Sequence, residues 1–198
     1  MLCYSFCAGF FAQIFYTANE RLFEKIKSLD LPNNYFYDRE SESLKKGLSL
    51  LSKPCEFRDV TADFTRLFIA DLGGTKAPPF ASFYYSTGEP EIYGKNSMKV
   101  SKKYQENGFN SYFIDLPADA VANELLFLEF AFKNENEELA KEFLKEEILP
   151  YAFKFSQDII KYADTSYYQA FGYLFKDYLN LLKEKFELKP SKRYINSV

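Results

Sequence analysis

One stretch limits the fold more than any other. Residues 121–133 read VANELLFLEFAFK, apolar on nearly every face, with Pro117, Ala118 and Asp119 leading in as a helix start. A helix without a polar side cannot lie on a surface, so this one belongs at the centre of a domain, covered by others. Its few polar groups, Asp119, Asn123 and Glu124, gather in the first two turns; Glu129 is the exception.

Most other segments carry helical spacing as well. Phe11, Phe15, Ala18, Leu22, Ile26 and Leu29 recur at three and four, which predicts one amphipathic helix from the N-terminus to about residue 29. Further helices are predicted over 38–51, 59–70 and 97–107, the last closed by Gly108. Residues 135–149 form a charge-laced helix, and Pro150 starts or kinks the next. The last helix carries Tyr167, Phe171, Leu174, Tyr178 and Leu181, a packing seam. Residues 109–116 read as extended. Valine occurs only at 60, 100, 121 and 198 and glycine eight times, which argues against a β-rich chain. The expectation is an all-α, single-domain helical bundle of about eight to ten helices over residues 1–198. The segment 71–91 would be an ordered loop or hinge, and 187–198 a frayed tail.

The chain has 198 residues, enough to bury roughly 70% of its unfolded surface without disulfide or metal. It has no histidine. That removes Ser-His-Asp and Cys-His catalysis, HExxH zinc sites and any imidazole base. An enzyme built on this chain would run on carboxylates, tyrosines, lysines or cysteines. With 25 basic and 28 acidic residues, bulk charge does not point to nucleic acid. Cys3, Cys7 and Cys55 form no CxxC pair and fit free thiols in a reducing cytosol. Cys3 and Cys7 share a helical face, but two ligands are too few for a closed zinc site, so no metal is expected. The apolar start lacks a basic n-region and continues its stripe into charged sequence, so it reads as neither signal peptide nor anchor. A cytoplasmic protein without membrane-spanning helices is expected.

Leu72-Gly73-Gly74-Thr75-Lys76 lacks the spacing of a phosphate loop and reads as a turn. No cofactor and no tight nucleotide site is expected. Asp119 and Glu124 read three ways: an acid/base pair, a seat for a cationic group, or a dipole-facing carboxylate beside one polar core residue. The loop 77–85, with Phe80, Phe83, Tyr84 and Tyr85, is either a recognition surface or a lid over a core gap.

Five blocks in order resemble one family. Asp63-Phe64-Thr65-Arg66-Leu67-Phe68 is followed by Ala77-Pro78-Pro79-Phe80-Ala81-Ser82-Phe83-Tyr84. Met98, Val100, Tyr104, Gly108 and Phe109 come next, then Leu116-Pro117-Ala118-Asp119 leading to Glu124-Leu125 and Phe127-Leu128. Ile148-Leu149-Pro150-Tyr151 and Tyr167-Tyr168 close the series. This pattern resembles the TorD/DmsD family of redox-enzyme maturation chaperones, over roughly residues 64–182. The family's histidine after the aspartate is Ala120 here, its tryptophan after Leu-Pro is Tyr151, and its glycines after Leu-Phe are displaced to Gly73-Gly74.

The resemblance implies a non-catalytic cytoplasmic chaperone. Its partners would be the twin-arginine signal peptide and the apo form of a molybdenum-cofactor oxidoreductase catalytic subunit. It would assist cofactor insertion and delay export until maturation. The client is not named: formate dehydrogenase, S- or N-oxide reductase and nitrate reductase types all fit. The family contains monomers and helix-swapped dimers, and both stay open. The implied peptide-binding residues are Asp119, Glu124, Phe68, Pro78, Pro79, Phe80, Ser82, Tyr84 and Phe127. Asp119 is expected at an exposed groove mouth, facing arginine. An acid/base enzyme and a general helical protein–protein adaptor without a signal-peptide role remain the alternatives.

Overall fold

The computed structural model describes residues 2–31, 33–69, 74–85 and 91–189. Parts of the 71–91 loop, the Leu72-Gly73 end of the candidate phosphate loop and the tail beyond 189 lie outside these residues. Among the described residues the regular structure is helical. In chain order come α1 (Leu2–Tyr16), α2 (Glu20–Ser28), α3 (Glu42–Leu51) and α4 (Phe57–Phe64), the last running into a π-turn over Thr65–Ile69. Then follow α5 (Ser82–Tyr85), α6 (Lys95–Glu106), α7 (Val121–Lys133) and α8 (Glu137–Phe143). A second π-turn over Leu144–Ile148 leads into α9 (Leu149–Tyr162), and α10 spans Ser166–Lys185. Pro150 cannot donate to the carbonyl four residues back, and directly before it the chain widens into the π-turn, where the Leu149 amide bonds the Leu144 carbonyl five residues back. The all-α expectation is met.

The single N-terminal helix is not. The chain breaks at Thr17–Asn19, and Asn19 caps α2 by accepting a hydrogen bond from the Leu22 amide. An asparagine at this position offers the backbone a better partner than a continued helix. The apolar stripe hid the break because it resumes in phase. Residues 109–116, expected to be extended, belong to no regular element and turn at 114–115. They are an irregular loop held from inside by Asn123, whose side-chain amide points at the carbonyls of Phe113, Leu116 and Pro117 at 3.0–3.3 Å.

The chain forms two compact units, each assembled from separated segments. The first takes Met1–Tyr16, Pro79–Phe153 and Leu181–Val198; the second takes Thr17–Pro78 and Lys154–Asn180.

In the first unit α1 packs on α7. Every residue from Val121 to Leu128 is buried, as the pattern of that segment demands. The two helices meet through small residues. A methyl group on Gly9 would stand 2.5 Å from the Glu129 carboxylate, and the Ser5 hydroxyl donates to the Glu129 carbonyl. Glu129, the odd acid of this helix, rides over Gly9 and pairs with Lys133 at 2.7 Å. Just past the end of α10, Phe186 is buried and stacks against Phe132 with ring centres 6.1 Å apart.

The second unit is centred on α10, α9 and the α4 helix with its π-turn. Phe68 lies among Phe64, Phe155 and Tyr168 at 5.2–5.9 Å. Gly47 lets α3 approach α10: an added methyl would sit 2.7 Å from the Leu174 side chain and 3.2 Å from the Ala170 carbonyl oxygen.

Candidate functional site

The best-developed polar centre of the first unit lies where α7 begins. Residues 79–82 and 119–121 pair antiparallel through a single bridge, Phe80 with Ala120. The Ala81 amide donates to the Asp119 carbonyl at 3.0 Å, and the Val121 amide to the Pro79 carbonyl at 2.9 Å. This fixes Asp119 beneath the short turn α5. Its Oδ2 accepts from the Ser82 amide at 3.0 Å and from the Asn96 side-chain amide at 3.2 Å. Among the described residues its Oδ1 has no hydrogen-bond donor.

Asp119 therefore caps a helix, but a different one from that expected. Ala120 occupies the N-cap of α7 without a side-chain bond, and the aspartate serves the turn 37 residues upstream. Nor is it exposed. Both Asp119 and Glu124 have 0% accessible surface, which corrects the expected groove-mouth position. The reason is the bridge: residues 79–82 close over 119–121 and bring the Ser82 amide onto the carboxylate, with the Asn96 side chain beside it.

Glu124 lies one turn into α7 and accepts from the Tyr151 hydroxyl at 2.6 Å. Tyr84 stacks on Tyr151 with centroids 5.5 Å apart, and the Tyr85 ring stands edge-on to it. The Tyr85 hydroxyl donates to the Glu147 carbonyl at 2.7 Å. Glu147, in the second π-turn, is a third buried carboxylate. Its Oε1 meets Lys99 Nζ at 2.8 Å and Lys103 Nζ at 3.1 Å. Asn96, Lys99 and Lys103 thus place one face of α6 against this acidic centre, as helical spacing of three and four allows.

The field of these groups is felt by two phenols. Burial pushes the Tyr104 hydroxyl well above its ordinary value, and the Glu124, Asp119 and Glu147 carboxylates add to that. Tyr151 is raised in the same way by burial and by Glu124. Both stay protonated and act as donors, Tyr104 to the Ala118 carbonyl at 2.8 Å. Burial opposes the charge of Lys103, yet Glu142 and Glu147 hold it above its ordinary value. The arrangement suits holding and orienting cationic and hydrogen-bond-donating groups. As an acid/base pair it lacks access, since neither Asp119 nor Glu124 reaches solvent.

The nine sequence-derived residues are divided by the structure. In the first unit, Pro79, Ser82 and Tyr84 are buried in or beside the bridged turn, and Phe80 is half-buried. Phe127 has no exposed surface and lies between Phe143, Tyr104 and Phe109 at 4.5–5.3 Å, so it lines no groove. Phe68 and Pro78 belong to the second unit, where Phe68 is a core residue. Glu147, Lys99, Lys103, Asn96 and Tyr151 had no assigned place in the acidic centre. One signal was available: Ala140, Leu144, Glu147 and Tyr151 keep core spacing, and a glutamate on such a stripe is out of place. Among the described residues no cluster of three or more Cys, Asp or Glu could hold a metal ion, and no helix is long and apolar enough to cross a membrane.

The second unit has its own buried aspartate. Asp63 Oδ1 accepts from Arg66 at 2.7 Å and from the Asp164 amide at 3.2 Å. Its Oδ2 accepts from the Asp164 and Thr165 amides at 3.1 and 2.8 Å and from the Thr165 hydroxyl at 2.7 Å. Arg66 also reaches the Tyr162 carbonyl and the Asp164 carboxylate. This centre ties the α9–α10 connection to α4.

Residues 37–157 match the nitrate reductase delta subunit family, a span that contains both α4 and the bridged turn. The chain belongs to this family. It is the NarJ/TorD type of redox-enzyme maturation chaperone, in agreement with the pattern of the five sequence blocks. A solved structure described as a candidate redox enzyme maturation protein of Archaeoglobus fulgidus has the same fold. Its TM-score is 0.62 at 21% identity, covering 87% of this chain and 91% of that one. No curated protein sequence gives a significant match.

Proposed function

We propose that this chain chaperones the apo form of an exported molybdenum-cofactor oxidoreductase in the cytoplasm. It binds the client's twin-arginine signal peptide, assists cofactor insertion and delays export until maturation. The observation that carries this reading is family membership over residues 37–157, the span that holds the acidic centre.

The chemistry supports it. A twin-arginine signal offers two guanidinium groups and an apolar run, so its receptor needs carboxylates next to apolar surface. Glu147 already forms ion pairs with two ammonium groups, and Lys99, half-exposed, is a partner a guanidinium can displace. The turn Pro79–Tyr85 supplies the apolar contact through Phe80, while Ser82, Tyr84, Asp119, Glu124 and Phe127 shape it from beneath. Peptide binding at the carboxylates then requires the 79–82 bridge to loosen.

Capture with the tagged chain, followed by mass spectrometry, tests the reading. The expected dominant prey is the precursor of a molybdenum oxidoreductase with its signal intact. Recovery of an unrelated partner, equal for signal-bearing and signal-less forms, makes the chain a general helical adaptor instead.

A further inference from the structure

A second surface of the first unit has no part in that reading. The loop 109–118 and one face of α6 enclose an open groove of about 680 Å³. Its lips are apolar and unusually bare: Met98 is 67% exposed and Ile114 89%, with Tyr93 and the neighbouring Tyr112 also in solvent. Scattered exposed apolar residues are ordinary, but a ring of them around one concavity marks an interaction surface.

The lips are held in place. Tyr16 stacks on Phe113 at 3.7 Å, and its hydroxyl donates to Asp115 Oδ1. Tyr93 donates to the Asp115 carbonyl, and Asn123 holds three carbonyls of the loop from below. Ile114 is therefore presented on a fixed scaffold, which lowers the entropic cost of docking.

Charge selects the occupant. Lys95, Met98 and Lys102 fall on one stripe of α6, so the apolar lip is flanked by cations. Lys95 has no ion-pair partner among the described residues. Lys102 has only an exposed contact with Glu106 at 3.6 Å, a pairing of little strength. On the opposite lip, Asp115 keeps its negative charge while it accepts from the neutral Tyr16 hydroxyl, so the acidic groups of an occupant belong on the α6 side. A bilayer favours convex protrusions, and this surface is concave.

We propose that this groove docks a protein segment with an apolar face flanked by Asp or Glu. That is the reverse of the charge a twin-arginine signal carries, so it is a second recognition surface. The inference does not depend on the signal-peptide reading.

The test is selection from a random twelve-residue peptide library on the folded chain. The comparison variants are Met98→Glu with Ile114→Glu, and Lys95→Glu with Lys102→Glu. All four positions are exposed, so unchanged melting confirms folding. The expected result is enrichment of apolar, net-acidic peptides. Their affinity should fall at least about tenfold in the first variant, and the acidic preference should be lost in the second. No enrichment over the naive library, enrichment of net-basic peptides whose binding Met98→Glu with Ile114→Glu abolishes, or binding of the acidic peptides unaffected by both variants overturns the proposal. So does a concentration-dependent dimer, or co-sedimentation with anionic vesicles, that Met98→Glu with Ile114→Glu abolishes. Loss of signal-peptide binding in a separate assay bears only on the function proposed above.

Discussion

Asp63 and Asp119 are both buried aspartates that accept backbone amides from a distant segment, but they are satisfied differently. Both oxygens of Asp63 are occupied, by two amides, a hydroxyl and a guanidinium. Asp119 uses one oxygen for two donors and leaves the other without any. A buried carboxylate with a full set of donors is a structural tie. One with an orphaned oxygen forgoes stability that another donor would supply. The difference marks Asp63 as a staple of the second unit, and Asp119 as the place in the first where a new donor is welcome.

Isosteric replacement by asparagine separates the two, because it turns one acceptor into a donor without changing shape. At Asp63 every orientation of the amide points its NH2 at an existing N–H. Asp63→Asn should cost about 2–4 kcal/mol, as expected for breaking a buried charged network. Chemical denaturation of the purified variant measures it. A loss below about 1 kcal/mol would make the five donor contacts redundant.

Alkaline pH sharpens the comparison from the side of the tyrosines. Tyr104 and Tyr151 in the first unit, and Tyr167 and Tyr168 in the second, are all raised above the ordinary value, chiefly by burial. Carboxylates add to burial for Tyr104 and Tyr151, whereas Cys55 adds for Tyr167, and Tyr167 and Asp63 for Tyr168. A raised native pKa means the folded state binds more protons than the unfolded one. The stabilisation is complete below about pH 10 and declines as pH rises beyond it. Each of these phenols contributes a slope of up to about 1.4 kcal/mol per pH unit. Tyrosinate absorbance should show these four ionising only as the fold is lost. Reversible ionisation of buried tyrosines near pH 10, with helicity intact, would refute the burial argument.

The two units also differ in how far sequence reveals them. The α7 helix is legible because no surface could accept it, and the aromatic seam of α10 because its spacing is regular. The break at Asn19 was hidden because the stripe continues in phase on both sides. Position within the acidic centre was the hardest to read. Asp119, Glu124 and Glu147 come from a loop end, a helix and a π-turn, and nothing local joins them. Exposure failed for the same reason: Asp119 looks like an ordinary helix start until residues 79–82, some 37 positions away, are known to close over it.

The smallest stability effect is expected at Asp119 itself, and it is the most informative. Asp119→Asn can keep its oxygen toward the Ser82 and Asn96 donors and turn its NH2 to the side where no donor stands. The fold should therefore lose about 1 kcal/mol or less. Asp119→Ala strands both donors in a buried site and should cost about 1–3 kcal/mol, which shows that the position is structurally coupled. Against that background, signal-peptide affinity becomes readable. If the orphaned oxygen receives an arginine once the 79–82 bridge opens, the asparagine variant, nearly native in stability, should bind about ten- to a hundred-fold more weakly. Its residual binding should also depend less on salt, since one charge pair is gone. Calorimetry of a client signal peptide at two ionic strengths measures both quantities. Equal affinity and equal salt dependence in wild type and Asp119→Asn would confine this aspartate to holding the Ser82 turn, and would leave Glu147, with its displaceable lysines, as the carboxylate that meets the arginines.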